Sequence, residues 1–487
     1  MLDQSRRPLY QHLYEHSQKQ SVRYHIPGHS GGDLYDEAMW KGLARWDVTE
    51  TYGMDDLHAP DSLIREAEEL AASAFGAAKT WFLVNGTSGG LLAALHGLFQ
   101  RGDAVVVQRN AHISIYNGLM LAGLRPQYIM PEILDQGSIA ASITLEGLKE
   151  VLVANPDVKG VIVTNPSYYG HRADIRGIAK LCRAYDKLLV VDEAHGAHYF
   201  FHPSLKESSA IYQGADVAVQ SAHKTLPALT MGSLLHLGHG ADGRVDLQRL
   251  AYYISVFQTT SPSYLVMASL DYARHWMVRS GEAELEKAFV RKQRLCQRIR
   301  ECGLVPMDEA WANGYITDPL KLTISVAHTG MTGQQWEEEL AKRQIFMELV
   351  SKDHMLLMLG LGQPTETDER LLQAILEIIE FARVMQRQVC VPKLQLPVQE
   401  PIVAVALSDT VYGQCNQQIQ AIPLTICAGR VTAEYIIPYP PGIPLICPGE
   451  VMTAEHIRFI EEAKRAGIHF QGLADRTVEM VQCYALD

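Results

Sequence analysis

Between about residue 60 and residue 220 the sequence alternates short, wholly apolar runs with amphipathic segments, and few folds satisfy that rhythm. The apolar runs are Trp81-Phe-Leu-Val84, Ala104-Val-Val-Val107, Val161-Ile-Val163, Leu188-Leu-Val-Val191 and Val217-Ala-Val219. Each is shorter than an ordinary helix and has no alternating polar positions, so a strand built from it must be covered on both faces. The intervening segments carry helical spacing. Ile64, Ala67, Leu70, Ala71 and Ala74 recur at three- and four-residue intervals, behind Asp61 and Ser62 as caps and ahead of Gly76 as a stop. Leu145 to Leu152 and Ile175 to Tyr185 read the same way. The alternation predicts an α/β class with a buried, mainly parallel sheet.

The flanks lack this rhythm. Residues 1–60 are rich in His, Gly and Asp and read as an N-terminal arm. The large domain is expected over 61–280, with a long helical stretch from about Leu265 to Arg300 leaving it. A small α/β domain follows over 281–390, ending in the helical Glu369 to Arg387. Pro392, Pro397 and Pro401 mark a linker, and a last compact unit occupies 402–487. At 47% hydrophobic and 20% charged residues, the 487-residue chain has enough apolar content for a large core without staples. A formal net charge of −12 argues against a partner built on a phosphate backbone. The eight cysteines form no CxxC pair and match no zinc spacing, which suits free thiols in a reducing compartment. No run approaches the ~20 apolar residues of a membrane span. A cytoplasmic protein is expected.

Open α/β sheets bind ligands beyond the carboxyl ends of their strands, and four such strand ends carry unusual residues. Val84-Asn-Gly-Thr-Ser-Gly-Gly90 precedes a helix, so its free backbone N–H groups, with Thr87 and Ser88, suit a phosphate. Alone, such a loop fits an ordinary tight turn equally well. His112, in Gln108-Arg-Asn-Ala-His-Ile-Ser114, fits a group stacked on a planar ligand or a surface capping histidine. Asp192 ends a very apolar strand, where a carboxylate needs a cationic partner such as a protonated pyridine nitrogen. His195 and His198 follow it, but Gly196 lies between them and no third ligand is at hand, so no metal is expected. Lys224, in Gln220-Ser-Ala-His-Lys-Thr225, leaves an apolar strand beside Ser221 and His223; it fits an ordinary exposed turn lysine or an imine lysine, since desolvation lowers a lysine's pKa and frees the amine for imine chemistry. A phosphate cradle, a stacking ring, a pyridinium partner and an imine lysine together fit one cofactor, pyridoxal 5'-phosphate.

These residues resemble the Orn/Lys/Arg decarboxylases, fold type I pyridoxal-phosphate enzymes of the aspartate-aminotransferase kind, and within them the short bacterial arginine/lysine decarboxylase-like proteins without an N-terminal wing domain. The likeness is carried by His25-Ile-Pro-Gly-His29, Asp47-Val-Thr-Glu50, Asp55-Asp-Leu-His-Ala-Pro60, Asn85-Gly-Thr-Ser88, Asp192-Glu-Ala-His-Gly196, Ser221-Ala-His-Lys224, Tyr439-Pro-Pro-Gly-Ile-Pro444 and Pro448-Gly-Glu450. The resemblance implies Lys224 as the imine lysine, Asp192 at the pyridine nitrogen and His112 stacked on the ring. It puts Thr87, Ser88, Ser221 and His223 around the phosphate, and His195 by the ring's 3-hydroxyl or the substrate. It also implies a homodimer or dimer of dimers with a shared site, in which Thr260 of Gln258-Thr-Thr-Ser261 reaches the neighbouring chain's phosphate. Without a wing domain, the ring-shaped assemblies of larger relatives are not expected.

The expected reaction is α-decarboxylation of a basic amino acid (lysine, arginine or ornithine) to the corresponding di- or polyamine. Lys224, His223 or a nearby acid returns the proton to Cα, and His195 is the third catalytic residue. Glu450 is read as a partner for the substrate's distal cation or as a helix-capping residue before Met452. His29-Ser30, where many relatives have His-Lys, and Asn165-Pro-Ser-Tyr-Tyr-Gly170 depart from the family pattern and leave specificity open. Transamination, elimination or aldol cleavage would use the same cofactor residues. A non-catalytic homologue would be free to lose Lys224 or Asp192.

Overall fold

The structure, a computed structural model, describes residues 17–19, 21–134, 137–308, 315–364, 366–384, 393–397, 399–410, 418–439 and 442–485. The expected helix end at Arg387, Pro392 of the linker, Cys390, Cys415 and the Pro440-Pro441 pair lie outside these residues.

A seven-stranded sheet forms the centre. Its strands are β1 (Lys79–Leu83), β2 (Ala104–Gln108), β3 (Arg125–Ile129), β4 (Gly160–Thr164), β5 (Leu188–Asp192), β6 (Val217–Gln220) and β7 (Ser233–Leu237). The spatial order is β1-β7-β6-β5-β4-β2-β3. Strands β2 to β6 run parallel, while β7 is antiparallel to both neighbours. All five apolar runs lie in this sheet. Two strands went unread for physical reasons. β3 is an edge strand, where Pro126 is tolerated and the side chains are only partly covered. β7 carries a polar His236 in its middle, buried because Thr80 Oγ1 (2.8 Å) and Gln220 Oε1 (3.1 Å) meet its ring nitrogens. One face of the sheet packs on α2 (Gly86–Leu98), α3 (Ile113–Ala122) and Leu247–Val256; the other packs on Leu145–Ala154 and Ile175–Ala184.

The helix α1 (Leu63–Phe75) corrects one expectation. Ser62 stands at its N-cap but makes no side-chain cap bond. The buried Asp55 carboxylate reaches across instead, accepting from the N–H groups of Asp56 (2.9 Å), Asp61 (3.0 Å), Ser62 (3.0 Å) and Ile64 (2.8 Å). A folded-back loop thus does what a local serine was expected to do. Gly76, left-handed at φ 67°, ends the helix.

The helical stretch Tyr264–Trp276 continues through a π turn at Met277–Gly281 into Glu282–Glu301 and enters a second unit. There an antiparallel sheet (Val305–Met307, Lys321–Ser325, His354–Met358, Leu349–Val350) packs on Glu282–Glu301, Gly333–Lys342 and Glu366–Val384. The arm belongs to this core: Val22–Tyr24 pairs in parallel with Ile345–Met347, and the fully buried Tyr24 hydroxyl meets Asp368, itself 2.6 Å from Arg291. A third core, around Ile436, Ile446, Phe459, Ile460 and Val481, holds the helix Ala454–Arg465 and two small antiparallel pairs.

Candidate active site

The ends of β4, β5 and β6, the start of α2 and the arm converge on Lys224. Asp192 closes β5 between Thr164 and Val219 in register, at the centre of the sheet, and is 3% exposed. Its hydrogen-bond donor among the described residues is Ala194 N–H at 3.1 Å. Burial pushes its pKa up, opposed by the Lys224 ammonium. Lys224 lies on a one-turn helix (Ala222–Thr225) directly after β6, with Nζ 3.1 Å from His195 Nε2. Burial drives the lysine toward its neutral amine, with Asp192 and Glu348 pulling the other way. The His195 ring meets Tyr168 edge-on at 4.9 Å, and burial followed by the Lys224 charge keeps it neutral.

The first turn of α2 has no side-chain cap, so its N–H groups face outward with the positive end of the helix dipole. Thr87 Oγ1 hydrogen-bonds to Ser221 Oγ and, at 3.2 Å, to Ser233 Oγ, gathering three hydroxyls at that helix end. Ser88 is exposed on the same turn. This is the donor chemistry a phosphate needs. His223 directs Nδ1 at Gly232 O (3.0 Å), and burial lowers its pKa to about 4. It therefore holds the turn in place rather than presenting a charge.

Of the two roles left open for His112, the structure shows the capping one. Its Nδ1 accepts from Ser114 N–H at 3.3 Å and so caps α3, while the ring keeps an exposed face. Surrounding protein and the nearby Lys224 charge depress its pKa to about 4. The arm lies over the Lys224 turn: Gly28 N–H donates to His223 O at 2.8 Å, and Ile26 N–H donates to Glu348 Oε2 at 3.0 Å. Only glycine fits at 28, because a Cβ there would lie 2.8 Å from Leu226 O.

One expected residue pairs elsewhere. Glu450 does not join this group. It is 3% exposed and pairs with Arg109 (3.0 Å) while accepting from Cys447 N–H (2.8 Å); Arg109 is further held by Tyr116 OH and the carbonyls of Pro444 and Leu445. Nor does it cap the following helix, where Thr453 and His456 form a reciprocal capping box. Thr260 is exposed; its neighbour Gln258 ties down the end of β1 through Val84 N–H (2.7 Å). His198 is drawn off by Asp318 at 3.3 Å, and among the described residues no three His, Cys, Asp or Glu could share a metal.

Sequence reading missed four groups. Ser233 joins from β7, and Tyr168 from the loop after β4. Tyr168 OH donates to Glu348 Oε1 at 2.7 Å. Lys321 donates to Tyr168 O from inside the second unit; burial lowers its pKa to about 7, with Asp318 opposing. The one available signal was a lysine in the apolar run Leu320-Lys-Leu-Thr-Ile-Ser325.

Residues 7–311 match the family model "Orn/Lys/Arg decarboxylase, major domain", and residues 363–482 match "Orn/Lys/Arg decarboxylase, C-terminal domain". An uncharacterized protein, YaaO, of Bacillus subtilis (strain 168) is 38% identical over 96% of both chains. Arginine decarboxylase of the same organism is 35% identical, over 99% of this chain and 98% of its own. Among solved structures, the Francisella novicida lysine decarboxylase LdcF superposes with a TM-score of 0.79 at 19% identity, covering 99% of this chain and 81% of that one; at this identity the likeness speaks for the fold. The architecture is that of fold type I pyridoxal-phosphate enzymes, and the chain belongs to the Orn/Lys/Arg decarboxylase family of amino-acid decarboxylases.

Proposed function

We propose that this chain binds pyridoxal 5'-phosphate at Lys224 and decarboxylates a basic amino acid (lysine, arginine or ornithine), releasing CO2 and the corresponding amine. The observation that carries the reading is the convergence of a neutral-leaning lysine, a buried Asp192 with a single donor among the described residues, and three hydroxyls at an uncapped helix end. Each is costly or idle alone, and each fits a different part of the same cofactor. When bound, the cofactor supplies an electron sink for the pair left by the departing carboxylate.

The chain's own groups do the rest. Asp192 would hold the positive charge of the ring nitrogen, a charge-assisted bond worth roughly 1.5–3 kcal/mol. Thr87, Ser88, Ser221 and the α2 N–H groups would hold the phosphate. His112 would lie against the ring, and His195 keeps the Lys224 amine aimed through their 3.1 Å contact. Lys224, whose burial favours the neutral amine, would be the group that returns the proton to Cα. We assign the substrate's distal cation to Glu348, an acid close enough to Lys224 to bias its charge and held between Tyr168 OH and Ile26 N–H. Glu450, already neutralised by Arg109, is left out of that role. A homodimer sharing the site across its interface is supported by exposed Thr260 and by Trp40, Trp46 and Tyr52, exposed on the arm.

Incubation with lysine, arginine and ornithine in turn, measuring CO2 and amine, tests the reaction; no product from any of the three would sink it. Lys224→Ala should abolish the visible absorbance band of the bound cofactor. Asp192→Asn should keep the cofactor while cutting turnover roughly 10–150-fold, the rate equivalent of the lost charge-assisted bond. A band that survives Lys224→Ala removes the lysine assignment.

A further inference from the structure

We infer that Lys321, a buried lysine of the second unit, is a positioning residue for the Lys224 site: it fixes the loop after β4 and, through Tyr168, sets where His195 and Glu348 stand. This role deepens the decarboxylase reading proposed above and rests on it.

Lys321 opens the strand Lys321–Ser325 and is 2% exposed. Its ammonium donates to Tyr168 O and, at 3.4 Å, to Ser167 O, and it lies 5.0 Å from the centre of the Tyr168 ring. Its hydrogen-bond partners among the described residues are thus carbonyls of one loop. The acid nearest in sequence, Asp318, is engaged elsewhere. Its Oδ1 accepts from Leu320 N–H (2.7 Å) and lies 3.3 Å from His198 Nε2, and its Oδ2 accepts from Tyr199 OH (2.9 Å). A buried ammonium is expensive, and an apolar side chain of similar volume would fill its space without that cost. What the lysine adds is a charged donor for the loop.

The same loop is seated on the second unit at three further points. Asp318 N–H donates to Gly170 O at 2.9 Å, Arg172 N–H donates to Ile316 O at 3.2 Å, and His171 forms an antiparallel bridge with Thr317. Gly170, left-handed at φ 92°, lets the two chains close, since a Cβ there would lie 3.1 Å from that of Asp318 and 3.2 Å from that of Lys321. Tyr168 carries this placement into the site. Its ring meets His195 edge-on at 4.9 Å, and its hydroxyl donates at 2.7 Å to Glu348, the acid assigned to the substrate's distal cation.

Lys321 also acts through its charge. Burial lowers its pKa to about 7; Asp318 and Glu348 oppose the shift, and the Lys224 charge adds to it. That coupling is reciprocal, so a charged Lys321 favours the neutral form of the Lys224 nitrogen, while Asp192 and Glu348 pull it the other way. The Lys321 charge likewise depresses His195 and His171. Lys292 faces the same junction from the helix Glu282–Glu301, donating to Asp318 O at 2.8 Å.

Lys321→Met in the holoenzyme tests both consequences. A pH titration of the bound cofactor's visible absorbance, which reads the Lys224 nitrogen without turnover, should show a midpoint raised by about one unit. KM for the basic amino acid should rise at least about tenfold, with the smaller share of the loss in kcat. Tyr168→Phe should raise KM too, and the double variant should exceed the larger single effect by less than about threefold, because both substitutions act through one side chain. An unmoved midpoint, an unchanged KM, or fully additive effects of the two substitutions would each overturn the role. Lys321→Gln keeps an N–H donor and loses the charge. It should show the same midpoint shift with a smaller rise in KM, and it decides alone if circular dichroism shows that Lys321→Met does not fold. A protein that releases no CO2 from lysine, arginine or ornithine loses the decarboxylase reading, while the absorbance titration still decides the role of Lys321.

Discussion

Replacing Glu450 by alanine separates its two readings, substrate ligand and structural anchor. The substitution removes the carboxylate 3.0 Å from Arg109 and leaves a buried guanidinium with Tyr116 OH and two carbonyls but no counter-charge. It also strands Cys447 N–H, which the same carboxylate accepts at 2.8 Å. Breaking a buried pair from one side costs about 3–5 kcal/mol. The three acceptors that remain on Arg109 place this case near the lower end, about 3 kcal/mol. The loss falls on the docking of the third unit, because Arg109 lies just past β2 and its other partners, Pro444 and Leu445, lie in that unit. Amide hydrogen exchange should therefore accelerate about 150-fold in Ala454–Arg465 and Met480–Tyr484, with the central sheet unchanged, since 1.36 kcal/mol is tenfold in population. Glu450→Gln, which keeps the shape and an acceptor for Cys447, should lose less. Arg109→Met with Glu450→Leu should recover most of the protection. Unchanged protection in Glu450→Ala together with a raised KM for the amino acid would refute the anchor and restore the substrate role.

Two further outcomes follow from the arm. Gly28→Ala puts a Cβ 2.8 Å from Leu226 O and 2.9 Å from Thr225 C, so the arm must lift from the Lys224 turn. Steady-state kinetics should show at least a tenfold fall in kcat/KM, while thermal unfolding moves by no more than about 1–3 kcal/mol of overpacking cost; a full loss of folding would show that the contact is needed for more than the site. Burial alone would raise the Asp55 pKa, but its backbone donors bring it down to about 2, below the ordinary 3.8. A depressed carboxylate stabilises the fold above its unfolded pKa and loses that contribution as pH falls toward the folded one. Denaturation followed from pH 5 to pH 2 should therefore decline more steeply in the unaltered protein than in Asp55→Asn, and parallel curves would remove Asp55 as the cap.

The strand-end residues were legible because their chemistry conflicts with their surroundings. Asp192 and Lys224 each follow a run of valines, leucines or alanines, and a charge there needs an explanation visible within a few residues. Glu348 and Lys321 gave no comparable signal. Their relation to Lys224 is created by packing the second unit against the first, and nothing local to either residue reports that packing. The Ser62 cap failed for the same reason, since a carboxylate seven residues upstream outcompeted the nearby hydroxyl once the loop folded back. The Arg109 partner of Glu450 went unread because a Pro-Gly-Glu turn reads alike whether its acid faces a ligand or a buried arginine.

The arm also bears on the order in which the protein is completed during synthesis. Ile26 and its acceptor Glu348 are 322 residues apart, and the strand at Val22–Tyr24 waits for Ile345–Met347 over a similar span. At ~5–20 residues per second a ribosome takes roughly 16 to 65 s to supply that partner. Lys224, His195 and the α2 helix end are all made within that interval, before the edge that Val22–Tyr24 will occupy exists. A segment made early is thus among the last to find its place, and the finished pocket dates from the arrival of the second unit rather than from the completion of the central sheet.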